Sequence, residues 1–333
     1  MSTPEKKTIK ILVFGGGSLG GIYSYLLSTS PLANVEITII CRGNYAIVSE
    51  TGYTLTTNLW GNHTFHPHYV ASSPSDLDGK SFDYIIVTTK AIPTTNGEKP
   101  ALAEFPIQKN VPIILIQNGI GIEEPYRTAF PENPIISGVA YITASQPSPS
   151  HILHVGTFVR LILGLFDRPN TVDTEKMNYL VELFNSAQLP TAAQDDIQTE
   201  RWNKLGWNGS YNVICAITGL DTAAYLATSP EAVELIREVI REISRTANAA
   251  GARVDEEELA NRYIDWTYTG PSIIPSMLQD ARNGVPMEIE VLCGNVWRIA
   301  EKLGVETPRI KSLYTILATM NWRFKTQQTL AKV

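Results

Sequence analysis

Residues 10–14, Lys-Ile-Leu-Val-Phe, run almost unbroken in apolar character into Gly15-Gly16-Gly17-Ser18-Leu19-Gly20, and Ile22-Tyr23-Ser24-Tyr25-Leu26-Leu27 follows with helical character. A strand covered on both faces reads as such a run rather than as an alternation, so the pattern predicts strand, tight turn and helix in succession. Short β-branched runs recur at residues 35–41, 84–89 and 111–117, with room for helices between them. That alternation predicts a parallel sheet wound with helices on both faces. Runs at residues 135–139 and two more between His151 and Phe166 predict that the sheet is extended, in part by antiparallel strands, with a last helix over 177–184.

After about Asp195 the period changes to that of helices. Ser229-Pro230-Glu231 is a helix start, with a capping serine, proline in the first turn and an acid near the positive end of the dipole. Leu235, Ile236, Val239, Ile240 and Ile243 form its apolar stripe, and Gly251 is placed to stop it. Further helices are predicted near 255–268, 272–283, 288–303 and 308–322. The expected fold class is therefore α/β: a Rossmann-type doubly wound sheet over residues 1–195, then an all-helical domain over 196–333. A site where the two meet is the default expectation.

The turn after the first strand carries the spacing of a dinucleotide site. Gly15 permits the tight turn, Gly17 lets the backbone approach a pyrophosphate, and Gly20 allows close helix packing. The free amides around Ser18 and Leu19 open the helix toward the phosphates. NAD-preferring versions place an acid at the end of the second strand, about 20 residues on. Here Ile40-Cys41 leads instead to Arg42-Gly43-Asn44, a guanidinium able to grip a 2′-phosphate, so the expected cofactor is NADPH/NADP⁺.

Composition narrows the classes. With 333 residues, 44% hydrophobic, the chain has material for two cores. Its 27 basic and 33 acidic residues are scattered, which disfavours nucleic acid as a partner. No run has the length of a membrane span, and the polar Met1 to Lys7 does not read as a signal peptide. Cys41, Cys215 and Cys293 are widely spaced among apolar neighbours, which fits reduced thiols and a cytoplasmic location. His63, His66 and His68 lie close together, yet nothing nearby completes a metal shell, and no metal is expected.

Lys204, Asn208 and Asn212 are spaced i, i+4 and i+8, one face of an α-helix, in a segment whose other residues include Trp202, Leu205, Trp207, Val213 and Ile214. Polar groups set in so apolar a helix are expected to line a cleft, although a partly exposed helix with ordinary polar residues has the same spacing. A lysine ammonium there can hand a proton to a carbonyl oxygen as hydride reaches the carbon.

These features resemble the ketopantoate reductases (2-dehydropantoate 2-reductases) through nearly the whole chain. The resemblance is carried by Gly15-x-Gly17-x-x-Gly20, Thr89-Lys90-Ala91, Gln117-Asn118-Gly119, Trp202-Asn203-Lys204-Leu205 leading to Asn208 and Asn212, Ser276-Met277-Leu278-Gln279-Asp280, and Glu288-Ile289-Glu290. It implies Lys204 as general acid and Glu288 as a carboxylate near the cofactor ribose and the lysine. It also implies Asn118 on the nicotinamide side of cofactor and substrate, Lys90 beside it in the same crevice, and Asn208, Asn212 and Ser276 as substrate-binding positions. Each has a plainer reading too: Asn118-Gly119 as an ordinary turn, Lys90 as a surface lysine, Ser276 as a helical serine, Glu288 as the first-turn acid of the next helix. Asp280 and Glu290 read as structural.

The implied reaction is NADPH-dependent reduction of a small 2-keto acid, first of all ketopantoate. One position departs from the family pattern: Ile273 stands where an asparagine is usual, three residues before Ser276. A D-2-hydroxyacid dehydrogenase acting on a branched or aromatic 2-keto acid such as 2-ketoisovalerate is therefore the runner-up. Dehydrogenation through His151 or His154, and a non-catalytic NADPH sensor, are further alternatives. Trp297, Tyr314, Trp322 and Phe324 suit either core or a homodimer surface, with the homodimer preferred.

Overall fold

The computed structural model describes residues 6–92 and 99–330, so the first five residues of the polar N-terminal stretch lie outside the described residues. Two compact units emerge. The first contains residues 6–89, 99–117 and 123–197; the second contains residues 90–92 and 118–122 together with residues 198–330.

The first unit is Rossmann-like. Strands β1 (Thr8–Phe14), β2 (Asn34–Ile40), β3 (Tyr53–Thr57), β4 (Gly61–Phe65), β5 (Tyr69–Ala71), β6 (Tyr84–Val87) and β7 (Ile113–Leu115) precede β8 (Ile135–Tyr141), β9 (Ala144–Ser148), β10 (His151–His154), β11 (Arg160–Leu165) and β12 (Thr191–Ala193). The main sheet has the order β12-β11-β8-β7-β6-β1-β2-β5, parallel throughout except where β11 runs against β8. Both faces of β1 are covered, which is why its sequence does not alternate. Ile9, Ile11 and Val13 join a core with Ile22, Tyr23, Leu26 and Leu27 of helix α1 (Ser18–Ser28), and Phe14 meets Phe105 edge-on at 5.2 Å.

Only one of the two runs between His151 and Phe166 extends that sheet. β10 instead pairs parallel with β3 and antiparallel with β9 in a separate sheet of order β4-β3-β10-β9. The reason lies in β10, where Ile152 and His154 are buried on one face while His151 and Leu153 are only partly covered. Ile152 packs on α1 so closely that a Cβ on Gly21 would lie 2.1 Å from its Cδ1. α1 is thus covered along most of its length and carries almost no polar face.

Two of the clustered histidines pack or bond within the first unit. His63 stacks on Tyr25 at 4.7 Å, and His68 Nδ1 accepts from the Ile37 amide at 3.2 Å. Among the described residues no group of three His, Cys, Asp or Glu could hold a metal ion, and the three cysteines are free and buried. Among them too, no helix is long and apolar enough to cross a membrane.

The second unit is helical apart from its two short segments. Counting α2 (Tyr45–Thr51), α3 (Glu123–Ala129) and α4 (Thr171–Ser186) in the first unit, its helices begin with α5 (Ile197–Trp207), α6 (Val213–Thr218) and α7 (Thr222–Leu226). They continue through α8 (Pro230–Ala249), α9 (Glu256–Thr269), α10 (Ser276–Arg282), α11 (Asn295–Leu303) and α12 (Pro308–Leu330). Ser229 caps α8 by accepting from the Ala232 amide at 3.2 Å, and Gly251 takes φ 96° just past its end. α8 packs on α9, α11 and α12, and its buried Glu242 accepts the Arg309 and Ile310 amides at 3.1 and 3.0 Å, capping α12. Of the C-terminal aromatics, Phe324 is core, Trp297 packs with Tyr314 at 5.6 Å, and Trp322 is exposed.

Two departures from regular helix bear on the site. The pattern predicts helix from residue 272, but residues 272–275 are not helical: Pro275 disfavours helical backbone at Ile274, and α10 starts at Ser276. Between α5 and α6, and again before α11, the backbone widens into π-turns over Asn208–Asn212 and Glu290–Gly294, which touch each other. Gly209 sits at that contact, where a Cβ would lie 2.7 Å from Ile243 Cδ1 and 3.1 Å from the Leu292 carbonyl.

Candidate active site

The glycine-rich turn has a distinct geometry at each glycine. Gly15 adopts φ 127°, a conformation side chains rarely tolerate, while a Cβ on Gly20 would lie 1.9 Å from the Gly15 carbonyl. At Gly17 a Cβ would meet nothing within 4 Å, and Gly17 begins α1 without a side-chain cap. The first-turn amides of α1, from Ser18 and Leu19 onward, have no partners within the helix. Open space, free amides and the positive end of a helix dipole together suit a pyrophosphate. Arg42 lies two residues past β2, exposed, its guanidinium 5.8 Å from the centre of the Phe14 ring. The residues present therefore fit the pyrophosphate of a dinucleotide.

In the second unit, Lys204 lies in the last turn of α5, and its Nζ donates to Asn118 Oδ1 at 2.7 Å. Asn118 is held by the segment that carries it. Gly119 takes φ 92° against the π-turn at Val291, where a Cβ would lie 2.4 Å from Val291 Cβ. The Gly119 carbonyl accepts from Arg201 at 2.9 Å, the Ile120 amide donates to the Val291 carbonyl at 2.9 Å, and Asn295 Nδ2 donates to the Ile120 carbonyl at 2.8 Å. Asn118-Gly119 is thus tied on three sides rather than being a solvent-facing turn.

Desolvation pulls the Lys204 ammonium from the ordinary lysine range down to about 7; repulsion from Arg201 adds to this, and attraction to Glu288 and Glu200 opposes it. Glu288 is buried, just before the helical backbone that starts at Ile289, rather than in its first turn. Asn321 of α12 fixes the preceding residue, accepting from the Met287 amide at 2.9 Å and donating to its carbonyl at 3.0 Å. Glu288 Oε1 accepts the Ala91 amide at 2.8 Å. Burial raises its pKa, against that hydrogen bond and the charges of Lys90 and Lys204. Lys90 pairs with Asp280 at 2.5 Å, and burial likewise raises Asp280 against the pull of Lys90. Glu290 bonds Arg298 and Tyr314.

Asn208 and Asn212 are both buried, but the π-turn changes the spacing expected of them, since its wider ring no longer stacks residues i and i+4. Asn212 Oδ1 accepts from the Met277 amide at 3.1 Å and from Ser276 Oγ at 3.4 Å. Ile273 is half-buried, its amide and carbonyl bonded to the Thr222 hydroxyl and amide, each at 3.1 Å. Sequence reasoning missed Arg201, Asn295 and Asn321, which hold the backbone beside Asn118 and Glu288. The sequence offers one signal for them, an arginine beside Trp202 three residues before Lys204. Lys204, Glu288, Lys90 and Asp280 form a charged set with Asn118, in which Glu288 is buried, Lys90 is exposed and the Lys204 ammonium is lowered to about 7, an arrangement suited to proton transfer at a polarised oxygen.

The family model described as ketopantoate reductase PanE/ApbA matches residues 11–168, and its C-terminal counterpart matches residues 196–321. An uncharacterised protein of Saccharomyces cerevisiae is 29% identical over 348 residues, covering 97% of this chain and 96% of its own. A 2-dehydropantoate 2-reductase of Streptococcus pyogenes is 31% identical over 305 residues, 90% of this chain and 93% of that one. The crystal structure of 2-dehydropantoate 2-reductase from Methylococcus capsulatus matches with a TM-score of 0.82 at 29% identity, covering 95% of this chain and 98% of that one.

Proposed function

This chain belongs to the ketopantoate reductase family of NAD(P)-dependent oxidoreductases, and on that premise we propose that it reduces a 2-keto acid, ketopantoate before others, with NADPH as reductant and Lys204 as general acid. The observation that carries the reading is the Lys204 ammonium, fixed on Asn118 at 2.7 Å and brought to about 7 by desolvation. A general acid works best with its pKa near the working pH, where it is still protonated yet gives up its proton readily.

When bound, the nicotinamide supplies the hydride that reaches the keto carbon. Gly15, Gly17 and Gly20 with the amides of Ser18 and Leu19 would hold the pyrophosphate, and Arg42 the 2′-phosphate. Lys204 Nζ donates its proton to the nascent alkoxide, while Asn118 orients the ammonium. Glu288 supports the charge on Lys204, and Lys90, held by Asp280, adds positive charge for the substrate carboxylate. Asn208, Asn212 and Ser276 offer amide and hydroxyl groups to the substrate.

A second reading is favoured by Ile273, which offers no polar contact where the family pattern has one. It is reduction of a branched or aromatic 2-keto acid such as 2-ketoisovalerate. NADPH oxidation by the purified protein, followed against ketopantoate, ketoisovalerate and an aromatic 2-keto acid, tests both. Fastest turnover with ketopantoate supports the first reading and fastest turnover with the others the second. Tight NADPH binding with no consumption on any of them would leave a nucleotide sensor.

A further inference from the structure

The carbonyl oxygen of Gly16, in the middle of the glycine-rich turn, is the meeting point of three side chains distant in sequence. Asn44 Nδ2 donates to it at 2.7 Å, Tyr53 OH at 3.0 Å and Gln146 Nε2 at 3.4 Å. Asn44 and Gln146 are held in turn by the Pro149 carbonyl, at 3.1 and 2.8 Å, and Tyr53 OH contacts Cys41 Sγ at 3.4 Å. Asn44 occupies the N-cap of α2, a position where asparagine usually bonds the helix's own amides, yet its side chain makes no cap bond. Its donor is directed at Gly16 instead.

A trans peptide is planar, so its N–H points opposite to its C=O. Fixing the Gly16 oxygen toward Asn44 and Tyr53 therefore fixes the Gly17 N–H in the reverse direction. Nothing would lie within 4 Å of a Cβ on Gly17, so the turn has open space at this residue. We propose that Asn44 and Tyr53 are positioning residues for cofactor binding: they clamp the Gly16–Gly17 peptide so that the Gly17 amide is aimed in advance at the nucleotide pyrophosphate. Glycine at 16 is part of the device, because a Cβ there would lie 2.4 Å from Cys41 Sγ and 2.8 Å from Tyr53 OH. Without the clamp the peptide can flip and present its carbonyl to the phosphate, which repels it. The clamp rests on the dinucleotide reading of this turn.

The experiment measures NADPH and NADH dissociation constants by nucleotide fluorescence, with thermal unfolding alongside, for the whole protein and for Asn44→Ala and Tyr53→Phe. Loss of one clamping hydrogen bond is expected to weaken both nucleotides by the same factor, about tenfold. The factor is common because the pyrophosphate is common, so the preference between the two nucleotides stays fixed. The melting temperature of Asn44→Ala stays close to that of the parent, since α2 loses no cap. Parent-like affinity in both variants overturns the clamp, as does a loss confined to one nucleotide or one that tracks a fall in melting temperature. A parent protein that binds neither nucleotide would overturn the dinucleotide reading itself, a distinct failure.

Discussion

Lys204 Nζ and Asn118 Oδ1 lie 2.7 Å apart, which joins the end of α5 to a residue three positions past β7. The bond fixes where the ammonium points, while desolvation and Arg201 set how readily it gives up a proton.

The pH dependence follows from that lysine. Reduction needs Lys204 protonated, so kcat/KM for 2-keto acid reduction should fall as pH rises through about 7, and oxidation of the 2-hydroxy acid, which needs it neutral, should rise over the same range. Lys204→Ala should lose the limb and lower kcat by about 10² to 10⁴ with the NADPH dissociation constant little changed. Near-parental kcat in that variant would remove the general-acid role.

Stability should move the other way. The unfolded chain holds the Lys204 proton up to about 10.5 but the folded chain only to about 7, so the unfolded state binds more protons between these values and folding stability rises with pH there. Below that window both states are protonated and the full penalty of the desolvated ammonium remains. Lys204→Met should therefore be more stable than the parent below pH 7. Its advantage should shrink on the way to 10.5, by at most about 1.4 kcal/mol per pH unit. Denaturant unfolding at several pH values measures this; a constant difference contradicts the desolvated lysine.

Cofactor choice tests Arg42. Arg42→Asp replaces a guanidinium suited to a 2′-phosphate with a carboxylate suited to a ribose hydroxyl. The NADPH/NADH ratio of kcat/KM should fall by at least about tenfold, the equivalent of one charge-assisted hydrogen bond. An unchanged ratio means that Arg42 is a surface arginine packed on Phe14.

What the sequence made legible was local. The strand, glycine turn and helix at residues 8–28, the shift to helical periodicity, and the caps at Ser229 and Gly251 depend on neighbours within a few residues, and they are found where expected. The pairs that assemble the site are not local: Asn118 with Lys204 spans 86 positions, Lys90 with Asp280 spans 190, and Ala91 with Glu288 spans 197. No periodicity encodes such distances; the family resemblance brought Lys90, Asn118, Lys204 and Glu288 together in advance, but not the pairing of Lys90 with Asp280, which reads as structural. The π-turns escaped for another reason. The signal was a glycine at 209 and at 294, and a glycine inside a helix says only that something approaches closely, not that the backbone widens. The second sheet escaped because β10 looks like any short apolar run until Gly21 is seen to admit it against α1.

Substrate choice is tested at Ile273. The Thr222 hydroxyl and amide hold its backbone on both sides, and Ser276, three residues on, leans on Asn212, so a substitution at 273 alters a side chain on a fixed main chain. Ketopantoate carries a hydroxymethyl group that ketoisovalerate lacks. A site that hydrogen-bonds a hydroxyl discriminates more strongly than one that offers only apolar packing. Ile273→Asn should therefore shift the kcat/KM ratio toward ketopantoate by roughly 1 kcal/mol or more, about fivefold or better. The gain should appear for ketopantoate while ketoisovalerate, losing an apolar contact, holds or declines. An unchanged or reversed ratio in a variant with normal NADPH binding would mean that residue 273 does not face the substrate, and specificity would then have to come from Asn208, Asn212 and Ser276 alone.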